Sequence, residues 1–365
     1  LDQGHLDASI KLKTVVYDAT GIARSEELNQ LYQFFNPIIK SFGRCARVVL
    51  VGRTPSHGPP SQRLAHRSLL GFVKSVAKEM RAGGTVNLIW CVGDCSQSLA
   101  APLSFFASDR SAYVSGQAIN VLPSQVKQWS FSQPLAGQHI LITGAARGIG
   151  QAIAHTVRNR GGIPTCVDVP STESKLKSAA AELGGDWMTL DIASSDAGRQ
   201  IAKHFSGKTM NGIVHNAGIT RDKKLVNMQS EHWDLVLRTN LSCQEAINEF
   251  LVSEGTLQTG GRIVSVSSIS GIGGNAGQTN YSTSKAGVIG MVEAYADDYY
   301  LKGITINAVA PGFIETKMVE TIPFAMRQLG RRLNSLSQGG LPEDVAEAVT
   351  LFLQSSSQGL TGNIL

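Results

Sequence analysis

HILITGAARGIGQAIAHTVRNRGG, residues 139–162, decides the fold. His139–Thr143 is an apolar run of strand length, and a helical pattern follows the glycine turn. The turn, Gly144-Ala-Ala-Arg147-Gly148-Ile149-Gly150, therefore sits between a strand and a helix, the context a dinucleotide-binding loop needs. Glycines permit the tight turn, let the backbone approach a pyrophosphate, and let helix pack on strand. The helix N-terminus offers free N–H groups and partial positive charge to the phosphates. The spacing is G-x-x-x-G-x-G and not the commoner G-x-G-x-x-G, and with 38 glycines in the chain such a turn alone is a weak signal. Two neighbours strengthen it. The next apolar run, Ile163–Val167, ends at Asp168, eighteen residues after Gly150, where a carboxylate can accept bonds from the ribose hydroxyls of NAD. Gly212-Ile-Val-His215-Asn216-Ala217-Gly218 is another strand ending in a polar glycine turn. In a parallel sheet such turns line the carboxyl edge, where ligands bind.

The chemistry resides in NYSTSKAG, residues 280–287. Tyr281 and Lys285 are four apart, so on a helix they share a face, with Cβ atoms about 5–6 Å apart. Ser268 lies thirteen residues upstream. A phenol is a poor acid, with a pKa near 10. A neighbouring ammonium is expected to pull it toward neutrality, and a serine hydroxyl can hold a carbonyl oxygen. Such a trio suits proton exchange with an oxygen on a carbon that exchanges a hydride.

From about residue 137 to 365 the chain resembles the short-chain dehydrogenase/reductase family, and more narrowly the 3-oxoacyl-(acyl carrier protein) reductases. The matching stretches are TGAARGIG (143–150), HNAGITRD (215–222), Asn240 in RTNL, GRIVSVSSISG (261–271), GNAGQTNYSTSKAG (274–287), ITINAVAPGFIETKM (304–318) and LTGN (360–363). The resemblance implies a Rossmann-type doubly wound parallel sheet and a homodimer or homotetramer. It also implies a tetrad of Asn240, Ser268, Tyr281 and Lys285. Tyr281 would be the proton donor, Ser268 would hold the carbonyl oxygen, and Lys285 would lower the phenol pKa and bind the nicotinamide ribose. Asn240 would seat a water of the proton relay. The cofactor would be lined by Gly144, Arg147, Gly148, Ile149, Gly150, Asp168, Asp191, Ile192, Asn216, Ala217 and Gly218. Pro311, Gly312, Ile314 and Thr316 would border the nicotinamide amide.

Asp168 and Arg147 pull cofactor choice in opposite directions. A carboxylate at the strand end repels the 2′-phosphate of NADP, whereas an arginine in the loop can bind it bidentately. The expectation is NADH over NADPH. Between Thr316 and Gly340, Lys317, Arg327, Arg331 and Arg332 stand against Glu315 and Glu320. The family places a substrate lid here, and its arginines fit phosphate or an acidic carrier. The expected reaction is reduction of 3-oxoacyl thioesters, on coenzyme A or acyl carrier protein, to 3-hydroxyacyl thioesters. The alternatives are a 3-hydroxyacyl-CoA dehydrogenase running oxidatively, or a reductase of another ketone.

The first third reads as a worn copy of the same fold. Gln62–Gly93 runs parallel to Tyr281–Gly312, Arg47–Val51 resembles Arg262–Val266, and Ser115-Gly-Gln117 echoes Thr361-Gly-Asn363. Gln62 and His66 stand where Tyr281 and Lys285 would be, and Gly52 and Arg53 replace Ser267 and Ser268. The expected layout is a smaller, degenerate flavodoxin-like α/β domain without catalysis (1–123), a linker (124–136) and the catalytic domain (137–365), as in high-molecular-weight 3-oxoacyl reductases. Residues 1–129 carry 14 Lys and Arg against 8 Asp and Glu, the remainder 19 against 20, so the net +5 belongs to the front part. A basic face can dock an acidic partner, and no motif points to nucleic acid. No run of eighteen apolar residues suggests a membrane span, and the start does not read as a signal peptide. The five cysteines are scattered, Cys91-x-x-x-Cys95 lacks a second ligand pair, and no histidine cluster suggests metal. Reduced thiols in a cytoplasmic protein are expected.

Overall fold

The computed structural model describes residues 11–125, 130–316, 331, 334 and 336–365. The chain divides into two compact units, Leu1–Ser124 with Arg332–Gln338, and Gln125–Arg331 with Gly339–Leu365.

In the first unit the chain runs β1 (Leu12–Asp18), α1 (Asn29–Ile38), β2 (Phe42–Arg53), α2 (Pro60–Glu79), β3 (Thr85–Cys91), α3 (Ala100–Phe106) and β4 (Ala118–Val121). The strands pair in sequence order, all parallel. Ala46–Val51 and Thr85–Ile89 are buried throughout, because a parallel sheet covered on both faces needs unbroken apolar runs and not alternation. Pro60 opens α2 at a position where its missing N–H costs nothing.

The second unit holds β5 (His139–Thr143), α4 (Gly148–Asn159), β6 (Ile163–Asp168), α5 (Glu173–Glu182), β7 (Asp186–Thr189), α6 (Ala197–His204) and β8 (Met210–His215). There follow α7 (Ser230–Leu237), a π-helical turn at Arg238–Ser242, α8 (Cys243–Ser253), β9 (Leu257–Val266), α9 (Ile269–Gly273), α10 (Thr279–Leu301), β10 (Thr305–Val309) and α11 (Pro342–Leu353). The sheet order is β7-β6-β5-β8-β9-β10, all parallel. The chain winds outward from β5 in one direction and then from β8 in the other. The crevice at the carboxyl ends of β5 and β8 is thus the switch point where such sheets bind ligands. This is the doubly wound Rossmann-type sheet that the motifs imply.

The similarity of the two units extends to single hydrogen bonds. Arg47 pairs with Thr85 across β2 and β3 as Arg262 pairs with Thr305 across β9 and β10. Both arginines are buried, and each guanidinium is met by main-chain carbonyls, those of Cys45, Ala46, Gly83 and Ser108 in one unit and of Gly260, Gly261, Gln354 and Ser355 in the other. Asn87 Nδ2 donates to Val114 O at 2.8 Å, and Asn307 Nδ2 donates to Leu360 O at 2.8 Å. Gly116 and Gly362 have φ of 73° and 72°. Each unit pairs these groups because a buried charge left without partners costs several kcal/mol and a buried amide about 1–3 kcal/mol. At the carboxyl edge the units diverge. His66, at the place of Lys285, is fully buried, and its Nδ1 accepts from the Arg53 N–H at 3.3 Å.

Two findings depart from the expectations. Cys91 and Cys95 form a disulfide, because the turn after β3 brings their Cα atoms to 5.6 Å, within reach of such a bond. Leu135, in the stretch read as linker, is fully buried, and its N–H donates to the Arg160 carbonyl. Among the described residues no helix is long and apolar enough to cross a membrane, and no cluster of His, Cys, Asp and Glu could hold a metal ion.

One buried group sets an acid limit. His215 at the end of β8 is 1% exposed, its ring Nε2 lies 2.8 Å from Asn248 Oδ1, and burial pushes its pKa down to about 4. The unfolded chain, with an ordinary pKa near 6.5, binds the proton first. The stability is therefore complete above about pH 6.5 and is lost as pH falls toward 4, by about 3 kcal/mol in total. Urea melts between pH 7 and 4.5 should show this slope in the wild type and a flatter one in His215→Asn. Equal slopes would assign the acid limit to other groups.

Candidate active site

The glycine turn between β5 and α4 divides its work among three residues. A Cβ on Gly144 would come within 2.9 Å of Ala217 Cα and Asn216 Nδ2, and one on Gly150 would strike the Gly144 carbonyl oxygen. Both positions are glycine so that the turn can close against the end of β8. Gly148 is different: its φ is +60° and a Cβ there would meet nothing within 4 Å. It leaves open space at the N-terminus of the twelve-residue α4, where N–H groups and helix dipole favour a phosphate. Arg147, the residue before α4, is exposed, and Ile149 is half-buried.

Asp168 ends β6 with one carboxylate oxygen accepting from Ala146 N at 3.0 Å and the other from Val169 N at 2.8 Å. The charge is thereby fixed against the glycine turn. Asn216 is also a tie: its Nδ2 donates to the carbonyls of Thr143 (3.0 Å) and Gly144 (3.2 Å). Thr143 Oγ1 in turn accepts from the N–H groups of Asn216 and Ala217. Asp191 caps its own turn through Ala193 N, and Ile192 beneath it is buried. Open space at Gly148, a free helix terminus and a carboxylate at the adjoining strand end fit a dinucleotide laid across the sheet edge.

Ser268, Tyr281, Lys285 and Asn240 converge beyond the ends of β8 and β9. Ser268 opens α9, its Oγ accepting from Ser270 N at 3.1 Å. Gly271 lets α9 lie on α10, because a Cβ there would approach the Lys285 carbonyl carbon to 2.7 Å. Lys285 is 3% exposed, its Nζ donates to Val266 O at 2.7 Å and lies 5.7 Å from the centre of the Tyr281 ring. Burial lowers its pKa to about 8, with Cys243 acting slightly the other way. Tyr281 corrects an expectation. Its pKa is raised, first by burial and then by the charge of Asp222, while a hydrogen bond with Ser268 draws it partly back. The ammonium is turned to the Val266 carbonyl and stands over the ring, so desolvation of the phenolate prevails.

Asn240 sits in the π turn, fully buried. Its Nδ2 donates to Ile219 O (3.0 Å) and Ser284 Oγ (3.1 Å), and its Oδ1 accepts from Ile219 N (2.8 Å). It thus clamps the segment after Gly218. A Cβ on Gly218 would lie 3.2 Å from Asn240 Oδ1 and 3.5 Å from Lys285 Nζ, so both groups face that glycine. Pro311 O accepts from Ile269 N at 3.0 Å, Gly312 is exposed, Ile314 is buried in a bridge to Gly340, and Thr316 is half-buried. Of the arginines expected in a lid, Arg331 donates through Nε to Glu315 Oε1 at 2.6 Å, while Arg327 and Arg332 lie outside the described residues. Sequence reading missed Thr143, Ser267 and Ser284. Ser267 Oγ donates to Lys285 O at 2.8 Å, but a serine at a strand end carries no signal of such a role by itself.

The family model described as enoyl-(acyl carrier protein) reductase matches residues 144–365. Three similar curated proteins are each named 3-oxoacyl-(acyl-carrier-protein) reductase FabG. The one from Thermotoga maritima is 37% identical over 238 residues, 63% of this chain and 96% of that protein. The one from Vibrio cholerae is 34% identical over 237 residues, 63% and 96%, and that from Pseudomonas aeruginosa 36% over 234 residues, 62% and 94%. The chain belongs to the short-chain dehydrogenase/reductase family and is an oxidoreductase.

Proposed function

We propose that this chain reduces 3-oxoacyl thioesters, carried on acyl carrier protein or coenzyme A, to 3-hydroxyacyl thioesters, with NADH preferred. The observation that carries the reading is the meeting of Tyr281, Ser268 and Lys285 at the switch point of the sheet, beside a glycine turn shaped for a dinucleotide. The glycine turn, Asp168, Asp191, Ile192 and Asn216–Gly218 would hold the dinucleotide, and Pro311–Thr316 would border its nicotinamide end. When bound, it supplies the hydride. Tyr281, kept neutral by burial, gives its proton to the ketone oxygen, and Ser268 steadies that oxygen. Residues 1–123 are read as a non-catalytic domain, since Gln62 and His66 replace the working pair, and 137–365 as the catalytic domain, with which Leu135 of the intervening stretch already packs. The relatives' names and the charge of Asp168 favour this substrate and cofactor. Asp168 equally suits oxidation of 3-hydroxyacyl-CoA with NAD. Steady-state rates with acetoacetyl-CoA and NADH or NADPH, and with 3-hydroxybutyryl-CoA and NAD, decide among them. No turnover of either thioester would reject the reading.

The lysine sets an expected alkaline limit. Burial lowers the Lys285 pKa to about 8, whereas it raises that of Tyr281 above its ordinary value. kcat/KM reports the ionisations of the free enzyme. For ketone reduction it should fall above about pH 8, and Lys285→Met should remove that limb along with most of the activity. A limb beginning above pH 10 would name the phenol as the titrating group.

A further inference from the structure

A buried polar chain beneath Asn240 belongs to none of the roles described above. Gln244, the first inward-facing polar residue of α8, is fully buried, as are Asn240, Ser265 and Ser284. Its Nε2 donates to the main-chain carbonyl of Asn240 at 2.7 Å, and its Oε1 accepts from Ser265 Oγ on β9 at 2.9 Å. One turn further along α8, Asn248 pairs with His215 on β8, and His215 is the register partner of Ser265. Two amides on one helix therefore grip two neighbouring strands. The link continues upward: Asn240 Nδ2 donates to Ser284 Oγ, which donates to the carbonyl of Tyr281 at 2.8 Å. A line of hydrogen bonds thus joins β9 to the helix turn that carries Tyr281.

The π turn gives Gln244 its importance. At a π turn the main-chain bonds run i→i+5 in place of the regular i→i+4 pattern, as from Cys243 N–H to Arg238 O, and the Asn240 carbonyl gains a side-chain restraint besides. Two-ended fixation by Gln244 supplies it. Buried amides of this kind are costly unless both ends are satisfied, and here both are. An aliphatic side chain of similar volume would fill the same space, so packing alone does not account for an amide at this place.

We propose that Gln244 is a positioning residue for the reaction: anchored to Ser265, it holds the Asn240 peptide so that the Asn240 amide keeps its place against Gly218, which Lys285 Nζ also approaches. The inference rests on the ketone-reductase reading of the site. Displacing a positioned group by a fraction of an ångström or more costs rate before it costs binding.

The test is Gln244→Met in the full chain, with acetoacetyl-CoA and the preferred reduced cofactor. The expected result is a fall in kcat of about 10-fold with KM for both substrates within about 2-fold, together with a displaced alkaline limb of the pH profile. Among the described residues, Tyr281 from the same helix lies against Lys285 and Cys243 from α8 acts on it through its charge, and neither is altered. A variant with wild-type kcat and an unmoved limb overturns the proposal, even if its melting temperature falls. Should Gln244→Met fail to fold, Ser265→Ala removes only the anchor of Oε1 and should show the same limb displacement with a smaller loss of kcat. An unchanged Ser265→Ala overturns it equally. A wild type inactive on every 3-oxoacyl thioester rejects the reductase reading instead.

Discussion

Tyr281→Phe should reduce kcat for ketone reduction by about 10²–10⁴-fold, the usual worth of a positioned proton donor. The substitution removes one oxygen and little else. The ring stays under the Lys285 ammonium, 5.7 Å from its centre, and Lys285 keeps its bond to Val266 O. Ser268 keeps its hold on α9 through Ser270 N. Dinucleotide affinity should therefore remain within about 3-fold, because the glycine turn and Asp168 lie on other elements, and the melting curve should hardly move. The direction of the Tyr281 shift makes the result informative. A phenol whose pKa is raised by burial and by Asp222 is protonated across the neutral range, the form a donor needs. If Tyr281→Phe retains more than about a tenth of wild-type kcat with an intact fold, the proton has another source.

Asp168→Ser should shift the NADPH-to-NADH preference by about 10²-fold. Two unit charges 4 Å apart near a protein surface interact by about 4 kcal/mol, and tenfold in affinity corresponds to about 1.4 kcal/mol. Half-exposure of the carboxylate trims that sum, leaving a shift of this order. The mutation carries a second, smaller cost. Asp168 accepts from Ala146 N and Val169 N, and a serine hydroxyl replaces only part of this, so NADH should bind somewhat less tightly. Measured kcat/KM for both cofactors in both proteins separates the effects: the charge acts on the ratio, the lost loop contact on both values alike. A wild type that already prefers NADPH, or a ratio unmoved by the mutation, would show that Asp168 serves only as a brace for the glycine turn.

Much of the site was legible because its spacing is local. Tyr281 and Lys285 share a helix face by their four-residue separation, and Gly144, Gly148 and Gly150 announce a turn that side chains would block. The likeness of the first unit to the second was legible too, since Arg47–Val51 (RVVLV) and Arg262–Val266 (RIVSV) are identical at three of five positions. What escaped notice was set by neighbours distant in sequence. RTNLS contains nothing that announces a π turn; the turn forms where α7, α8 and α10 pack together. The buried roles of Arg47 and Arg262 depend on carbonyls more than sixty and ninety residues away. The raised pKa of Tyr281 reflects how much of the fold covers it, and proximity to a lysine four residues away does not predict that balance.

By itself, then, the sequence determined the parallel α/β class and the position of the glycine turn, and it named Asn240, Ser268, Tyr281 and Lys285 as the proposed tetrad. The turn follows from chain-local geometry, and the full tetrad from the resemblance to the family. The tertiary structure alone decided how those residues behave. Burial, which is a property of the packed whole, raises the pKa of Tyr281 and lowers that of Lys285 to about 8. It also turned Asn216 and Asp168 into braces of the glycine turn, and it joined Gln244 to Asn240 and Ser265 across three separate elements. Desolvation and long-range hydrogen bonding are summed over atoms that meet only when the chain has folded.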